Sequence, residues 1–349
     1  MKIAMPNLKL LLTAAGFSLL LTPSGGMPPD TASTSLFDLI HQDEILKIDL
    51  QTDLDQLLAN RNTDAEVAAV LSFTGPNDRD YRFEIEIECR GKFRRRVCDF
   101  PPLKLNFSKR DLRELGLSRF DRLKLVTHCL EDQKGDDYLL KEYLIYRLYA
   151  ELSPYHFRSQ LVQVQYRDEN GKKRYKRLGI LLEDNDELAH RLQAEVVDTF
   201  SFREEGLEPE NARLHALFQY MVGNADWNLA LRRNLEILYF PGENTYRVVP
   251  YDFDFTGLVN VPYGIPNPDY RLTSMRQRVF LGEARGEQLQ ETIELLRQRR
   301  NRLEEVCRDL RYLRKRDEKD VLDYLGTFYA ELDEQLIWYP ETISTVEPE

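Results

Sequence analysis

With 349 residues, the chain is long enough for one large domain or for two lobes that each bury a core. Hydrophobic residues at 42% and charged residues at 31% describe an ordinary globular composition. A net charge of −11 argues against a general nucleic-acid binder, which needs a positive surface, and leaves Arg90 to Arg96 as a local basic patch.

At the N-terminus, Lys2 and Lys9 accompany an apolar run from Leu10 to Leu21, followed by Thr22-Pro23-Ser24-Gly25-Gly26. About a dozen apolar residues are too few to span a bilayer comfortably and match the core of an export signal. Residues 1–26 are therefore expected to be a signal peptide and the protein to be periplasmic or secreted. An uncleaved anchor or a buried first helix is the alternative. No cysteine follows the run to accept a lipid, and no later segment approaches transmembrane length.

Residues 27–45 read as a linker, and Leu50 to Arg61 as a helix. Alternation then takes over: Tyr81 to Cys89 has period two, and Leu103–Phe107 and Leu123–Val126 are shorter runs of the same kind. Leu140, Leu144, Leu148 and Leu152 recur at helical spacing and predict a helix over Asp137 to Leu152. Ser159 to Arg167 and Arg177 to Glu183 flank Asn170-Gly171, a hairpin signature. From residue 186 the pattern turns helical, with Glu208–Val222, Gly286–Tyr312 and Arg316–Glu334 interrupted by a hairpin of Leu235–Phe240 and Thr245–Pro250. Strands first and helices later predict an α+β protein of two lobes. Residues 46–185 would be a β-rich N-lobe with one helix, and 186–340 a mainly helical C-lobe carrying the hairpin.

Four cysteines, Cys89, Cys98, Cys129 and Cys307, match no zinc spacing. In an oxidising compartment they allow one or two disulfides. Cys98 with Cys129, which flank consecutive strand-like runs, is the favoured pair, and Cys307 on a helical segment reads as a buried thiol.

Two polar clusters stand out. Gly223-Asn-Ala-Asp226-Trp-Asn228 leaves a helix, with Asn234 just before the next strand, and Val248-Val-Pro-Tyr-Asp252-Phe-Asp254-Phe-Thr-Gly257 comes after the hairpin. A hairpin brings its two ends together, so both clusters converge on one spot. Hard cations such as Mg²⁺ want such oxygen ligands, and phosphoryl transfer needs one Asp for the acceptor with an Asn and a second Asp on the metal. Turn formation and capping are the bland alternative. Against it, Asp252 and Asp254 lie within an apolar run, where an unpartnered carboxylate is costly to bury. In the strand-rich half, Arg90, Lys104 and Lys124 are candidates for nucleotide phosphates, Glu142 for pairing such a lysine, and Glu183 for facing an adenine. Each has a solvated or capping role as its alternative. No G-x-S-x-G, H-E-x-x-H or P-loop motif occurs.

The order of these segments resembles the spore coat protein H-like (CotH) family of atypical kinases, over roughly residues 80 to 260. Arg90-Gly91, a proline, and Leu103-Lys-Leu-Asn-Phe107 are similar to that family's R-G…P-K…l-k-f segment, and Gly179-Ile-Leu-Leu-Glu183 to its connector. Gly223-Asn-Ala-Asp226-Trp227 and Pro250-Tyr-Asp252-Phe-Asp254-Phe resemble its G-N-x-D-W and P-W-D-x-D segments. The resemblance implies a two-lobed protein-kinase-like fold, Asp226 as the catalytic aspartate, and Asp252, or else Asp254, as the metal-binding one. The family's usual Asn about five residues after the catalytic Asp is Leu231 here, which transfers its role to Asn234 or, failing that, Asn228. Together with the export signal, the resemblance implies an exported kinase using ATP with Mg²⁺ or Mn²⁺ on a protein substrate, without nucleic acid or an integral membrane segment after signal cleavage. A non-catalytic envelope-binding or assembly protein is the main rival, and a metal-dependent hydrolase the third reading.

Overall fold

A computed structural model describes residues 34–75, 78–132, 134–171, 174–197 and 202–334. The proposed signal segment lies outside these residues. The described residues form one compact unit.

Seven strands make the first half: β1 (Leu46–Thr52), β2 (Val67–Thr74), β3 (Asp80–Cys89), β4 (Leu103–Phe107), β5 (Arg122–Val126), β6 (Ser159–Asp168) and β7 (Arg174–Leu182). They close into a barrel in the order β1-β2-β3-β4-β5-β7-β6. Neighbours pair antiparallel except at the seam, where β1 runs parallel to β6 with Leu46 opposite Val162 and Thr52 opposite Asp168. The period-two alternation sorts the faces: Tyr81, Phe83, Ile85 and Ile87 of β3 are buried while Arg82, Glu84 and Glu86 face out. Inward residues of all seven strands form one cluster, completed by Leu36, Phe37 and Ile40 of α1 (Leu36–Ile40), Leu54 and Leu57 of α2 (Leu54–Ala59) and Leu112 of α4 (Lys109–Glu114). The short helix α3 (Arg94–Val97) sits between β3 and β4.

A second cluster lies outside the barrel wall. Val126, Leu161, Ile180 and Leu182, from β5, β6 and β7, pack with α5 (Lys134–Ala150), α7 (Pro209–Val222), α8 (Gln290–Asp309) and α9 (Lys315–Asp333). The run Gly179-Ile-Leu-Leu182 is continuously apolar because that wall is buried on both faces. Between them come α6 (Asn185–Arg191), the two-residue strand β8 (Glu195–Val196), and the hairpin of β9 (Leu235–Phe240) and β10 (Thr245–Pro250), which form a three-stranded sheet in the order β10-β9-β8.

These facts overturn the two-lobed protein-kinase-like fold. The strand-rich part is a closed barrel rather than an open-sheet N-lobe, and the helical part packs on the barrel's outer wall through a shared apolar cluster. Part of the error is local. Residues 46–52, the last three of them within the expected helix of Leu50 to Arg61, form β1, and α2 begins only at Leu54, after the Asp53 cap. With β1 and β2 unrecognised, nothing in the sequence pattern closed the sheet. α1 likewise lies within the stretch read as a linker, with Leu36, Phe37 and Ile40 buried.

Cys98 and Cys129 form a disulfide, while Cys89 and Cys307 are buried free thiols. The bond links positions 31 apart, and constraining the unfolded chain over such a loop stabilises by about 4 kcal/mol. The double variant Cys98→Ser/Cys129→Ser is expected to lose about that much in urea unfolding. A loss under about 1 kcal/mol would show that the surrounding contacts already hold the two segments together.

Candidate functional site

Helix α7 ends at Gly223, which adopts a left-handed conformation with φ 68°. From there the 223–228 loop runs beside the segment after β10: Gly257 N–H donates to Gly223 O at 2.9 Å, and Leu258 N–H to Val222 O at 3.1 Å. At the other end, Tyr251 N–H donates to Asn234 O at 3.1 Å. The two polar clusters are thus laid side by side. Gly223 has a second constraint, since a Cβ there would run into the Tyr324 hydroxyl of α9. Gly223→Ala is expected to destabilise by about 2 kcal/mol through backbone strain and overpacking. Thermal melts should show Tyr324→Phe recovering part of that loss, and no recovery would assign the whole loss to the backbone.

Asp226 sits at the centre. Asn234 Nδ2 donates to its main-chain oxygen at 2.7 Å and to Oδ2 at 3.0 Å, and Arg233 Nη1 lies 3.2 Å from Oδ1. Burial raises the Asp226 carboxyl above its ordinary value; Arg233 and Asn234 oppose this and Asp252 reinforces it. Both Asn234 (φ 58°) and Asp252 (φ 63°) hold left-handed backbone, which costs a non-glycine residue about 1 kcal/mol and is concentrated at functional sites. Asp252 N–H donates to Tyr146 Oη at 2.9 Å. Asn228 instead accepts from Leu231 N–H at 2.7 Å, a turn-forming role, so of the two candidates Asn234 is the one that meets the Asp226 carboxylate.

Lys124 of β5 comes to the same place, its Nζ 4.7 Å from the Phe157 ring and 5.1 Å from that of Tyr251. It also donates to Asn185, whose Nδ2 donates to Glu236 at 2.6 Å. Burial lowers the ammonium to about 8, with neighbouring Arg90 acting in the same direction and Glu236, Asp184 and Asp252 opposing. Asn185 and Glu236 escaped the sequence reading. Their only signal was position, just beyond Glu183 and inside β9 opposite Val249.

Behind Asp252 lies a buried ion cluster. Arg94 of α3 contacts Asp252 through Nη2, Asp254 through Nε at 2.9 Å, and Glu142 of α5 at 3.2 Å. Tyr263 Oη adds a bond to Asp254 at 3.2 Å. Burial raises both the Asp254 and the Glu142 carboxyls, and Arg94 opposes the rise. Asp254 is 4% exposed, whereas the Asp252 side chain is 36% exposed, so Asp252 is the aspartate open to a ligand. The cationic partner of Glu142 is Arg94, where the sequence led to the expectation of a lysine. Lys104 pairs with Glu88 at 2.8 Å on the barrel's outer surface. Glu183 is fully buried and engaged by Arg158 and Arg191, the closest contacts at 2.7 Å, and does not face an open cleft.

Among the described residues, no group of three or more His, Cys, Asp or Glu side chains could hold a metal ion by itself. A hard cation bound with phosphates needs only one or two carboxylates. Asp252 and, beside Asp226, the Asn234 amide oxygen, which accepts no hydrogen bond among the described residues, suit that smaller demand. A groove of about 330 Å³ adjoins them, lined by Phe93, Asp226, Phe255, Ile265, Leu272 and Met275. Phe93 and Phe255 meet edge to face at 5.2 Å. A larger cavity of about 530 Å³, bounded by His215, Trp227 and Tyr270, contains none of the candidate aspartates, and size does not outweigh that. Among the described residues, no helix is long and apolar enough to cross a membrane.

No protein-family model matches the chain, and no curated protein matches it. The crystal structure of a Helicobacter pylori proinflammatory kinase, CtkA, is similar at a TM-score of 0.37 and 11% identity, over 65% of this chain and 90% of that one. A likeness of that size carries no residue role across.

Proposed function

We propose that the chain binds a nucleoside triphosphate with a divalent cation, Mg²⁺ or Mn²⁺, and transfers its terminal phosphoryl group to a hydroxyl on a protein substrate. The observation that carries this reading is the Asp226–Asn234 pair beside Asp252, with Lys124 near enough to Asp252 and to Arg90 to be influenced by both. Asp252 and Asn234 would hold the metal, which neutralises phosphate charge when bound. Lys124 and Arg90 would bind the phosphates. Asp226, its carboxyl raised by burial, would take the acceptor proton, with the Phe93–Phe255 groove receiving the residues around the acceptor. Export to an oxidising compartment belongs to the reading and agrees with the Cys98–Cys129 disulfide.

One observation favours a non-catalytic binding role instead: Arg94 already neutralises Asp252 and Asp254 without any ligand. Labelled ATP with Mg²⁺ or Mn²⁺ decides between them. The expected result is metal-dependent nucleotide binding by the parent, its loss in Asp252→Ala, and retained binding without transfer in Asp226→Ala. A parent that binds no nucleotide with metal present ends the proposal, and binding that survives both substitutions moves the site elsewhere.

A further inference from the structure

Phosphoryl-transfer sites of the two-cation kind need oxygen ligands for both ions. Here one oxygen of each of Glu142, Asp252 and Asp254 already faces a cation that belongs to the protein. Arg94 is 6% exposed and touches Glu142 Oε1, Asp252 Oδ1 and Asp254 Oδ2 at once. Glu142 and Asp254 are themselves 3% and 4% exposed, and Asp254 Oδ2 also accepts from Tyr263. No incoming ion can use these oxygens without displacing the guanidinium.

Resting on the proposed phosphoryl transfer, we infer that Arg94 supplies the second positive charge of this site from within the chain, so that each bound nucleotide brings one divalent cation rather than two. The oxygens left over are the second oxygen of Asp252 and the Asn234 amide oxygen, since Oδ2 of Asp226 already accepts from Asn234 Nδ2. Together with nucleotide phosphates they suit a single six-coordinate ion. A guanidinium fits this post because it stays protonated and its planar fork reaches several carboxylates together, which an ammonium does not. The fork is also held from behind. Arg94 opens α3, whose C-cap is Cys98, and Cys98 is bonded to Cys129. By fixing Oδ1 of Asp252, Arg94 orients the other oxygen of that carboxylate, so it is a positioning residue for the metal as well as a counter-charge.

The experiment titrates the full chain with Mn²⁺ in the presence of a non-hydrolysable ATP analogue, with free Mn²⁺ read by electron paramagnetic resonance and corrected for binding to analogue alone. One Mn²⁺ per chain is the expected result. Two per chain overturns the inference while leaving the nucleotide site standing, and no protein-dependent uptake overturns both. A second arm uses Arg94→Lys, which keeps the charge but loses the fork. Its Mn²⁺ affinity should fall by about 10-fold or more, the scale expected when a group orienting a metal ligand is lost, with the circular dichroism of the parent retained. Unchanged affinity in a folded Arg94→Lys protein would make Arg94 purely structural.

Discussion

Arg94→Met is expected to lower folding stability by about 3–5 kcal/mol near pH 8, the usual penalty for removing one partner from a buried ion cluster. The penalty arises from the groups left behind. Glu142 and Asp254 are buried and would keep their charge with no cation between them. Burial already raises both carboxyls in the parent, and without the guanidinium the rise is larger. A raised carboxyl contributes stability that is fully present below its unfolded value and lost as pH rises through its folded value. The deficit of Arg94→Met should therefore shrink as pH falls from 8 to 5. Urea unfolding at both pH values tests this, and a deficit that is equal at the two, or below about 1 kcal/mol at pH 8, would remove Arg94 from the energetic centre of the fold.

Acidification should unfold the parent by a separate route, through two buried histidines. His128 is 2% exposed, stacks on Phe100 with centroids 5.4 Å apart, and has no partner for either ring nitrogen among the described residues. His215 is 1% exposed, packs edge-on against Trp227 at 4.6 Å, and lies 3.2 Å from Gln219 Nε2. Burial lowers each imidazole to about 3. Their folded values lie below the ordinary one of 6.5, so the unfolded chain takes up protons first as pH drops. Their contribution is intact above 6.5 and is lost progressively toward 3. At pH 5 each histidine would have removed about 2 kcal/mol, or about 4 kcal/mol for the pair. Glu187, raised to about 7 by burial, has the opposite slope, so the comparison must be between parent and variant. His128→Phe, beside Phe100 and Tyr166, should match or exceed the parent at pH 8 and outlast it by about 2 kcal/mol more at pH 5. A parent–variant difference that does not change with pH would mean that His128 is protonated in place.

Much of the secondary structure was legible because its signals are local. The alternation of β3 and the leucine spacing of α5 survive in the folded chain almost residue for residue, and the hairpin Leu235–Phe240 with Thr245–Pro250 was read with its observed bounds. The convergence of Asp226 with Asp252 was legible for a related reason: a tight hairpin between two clusters leaves its ends no other place to go. Even the Cys98–Cys129 bond was legible from its position beside consecutive strands.

Charge partners were not legible. Arg94 was one member of the basic patch Arg90 to Arg96, yet it meets Glu142 48 positions away and Asp252 158 positions away. Glu183 looked available for a ligand, yet Arg158 and Arg191 enclose it. An ion pair leaves no periodicity along the chain, and which of two like residues is buried depends on what packs over it.

The residue pattern alone determined most of the strands and helices and brought the two polar clusters onto one hairpin, because backbone periodicity and turn chemistry act over a few residues. Only the tertiary structure decided that β1 pairs with β6 to close a barrel, that the helices share a core with its outer wall, and that Arg94 stands behind Asp252. Those outcomes depend on contacts between residues far apart along the chain, 48 and 158 positions in the case of Arg94, where the competing pairings differ in burial and not in local sequence.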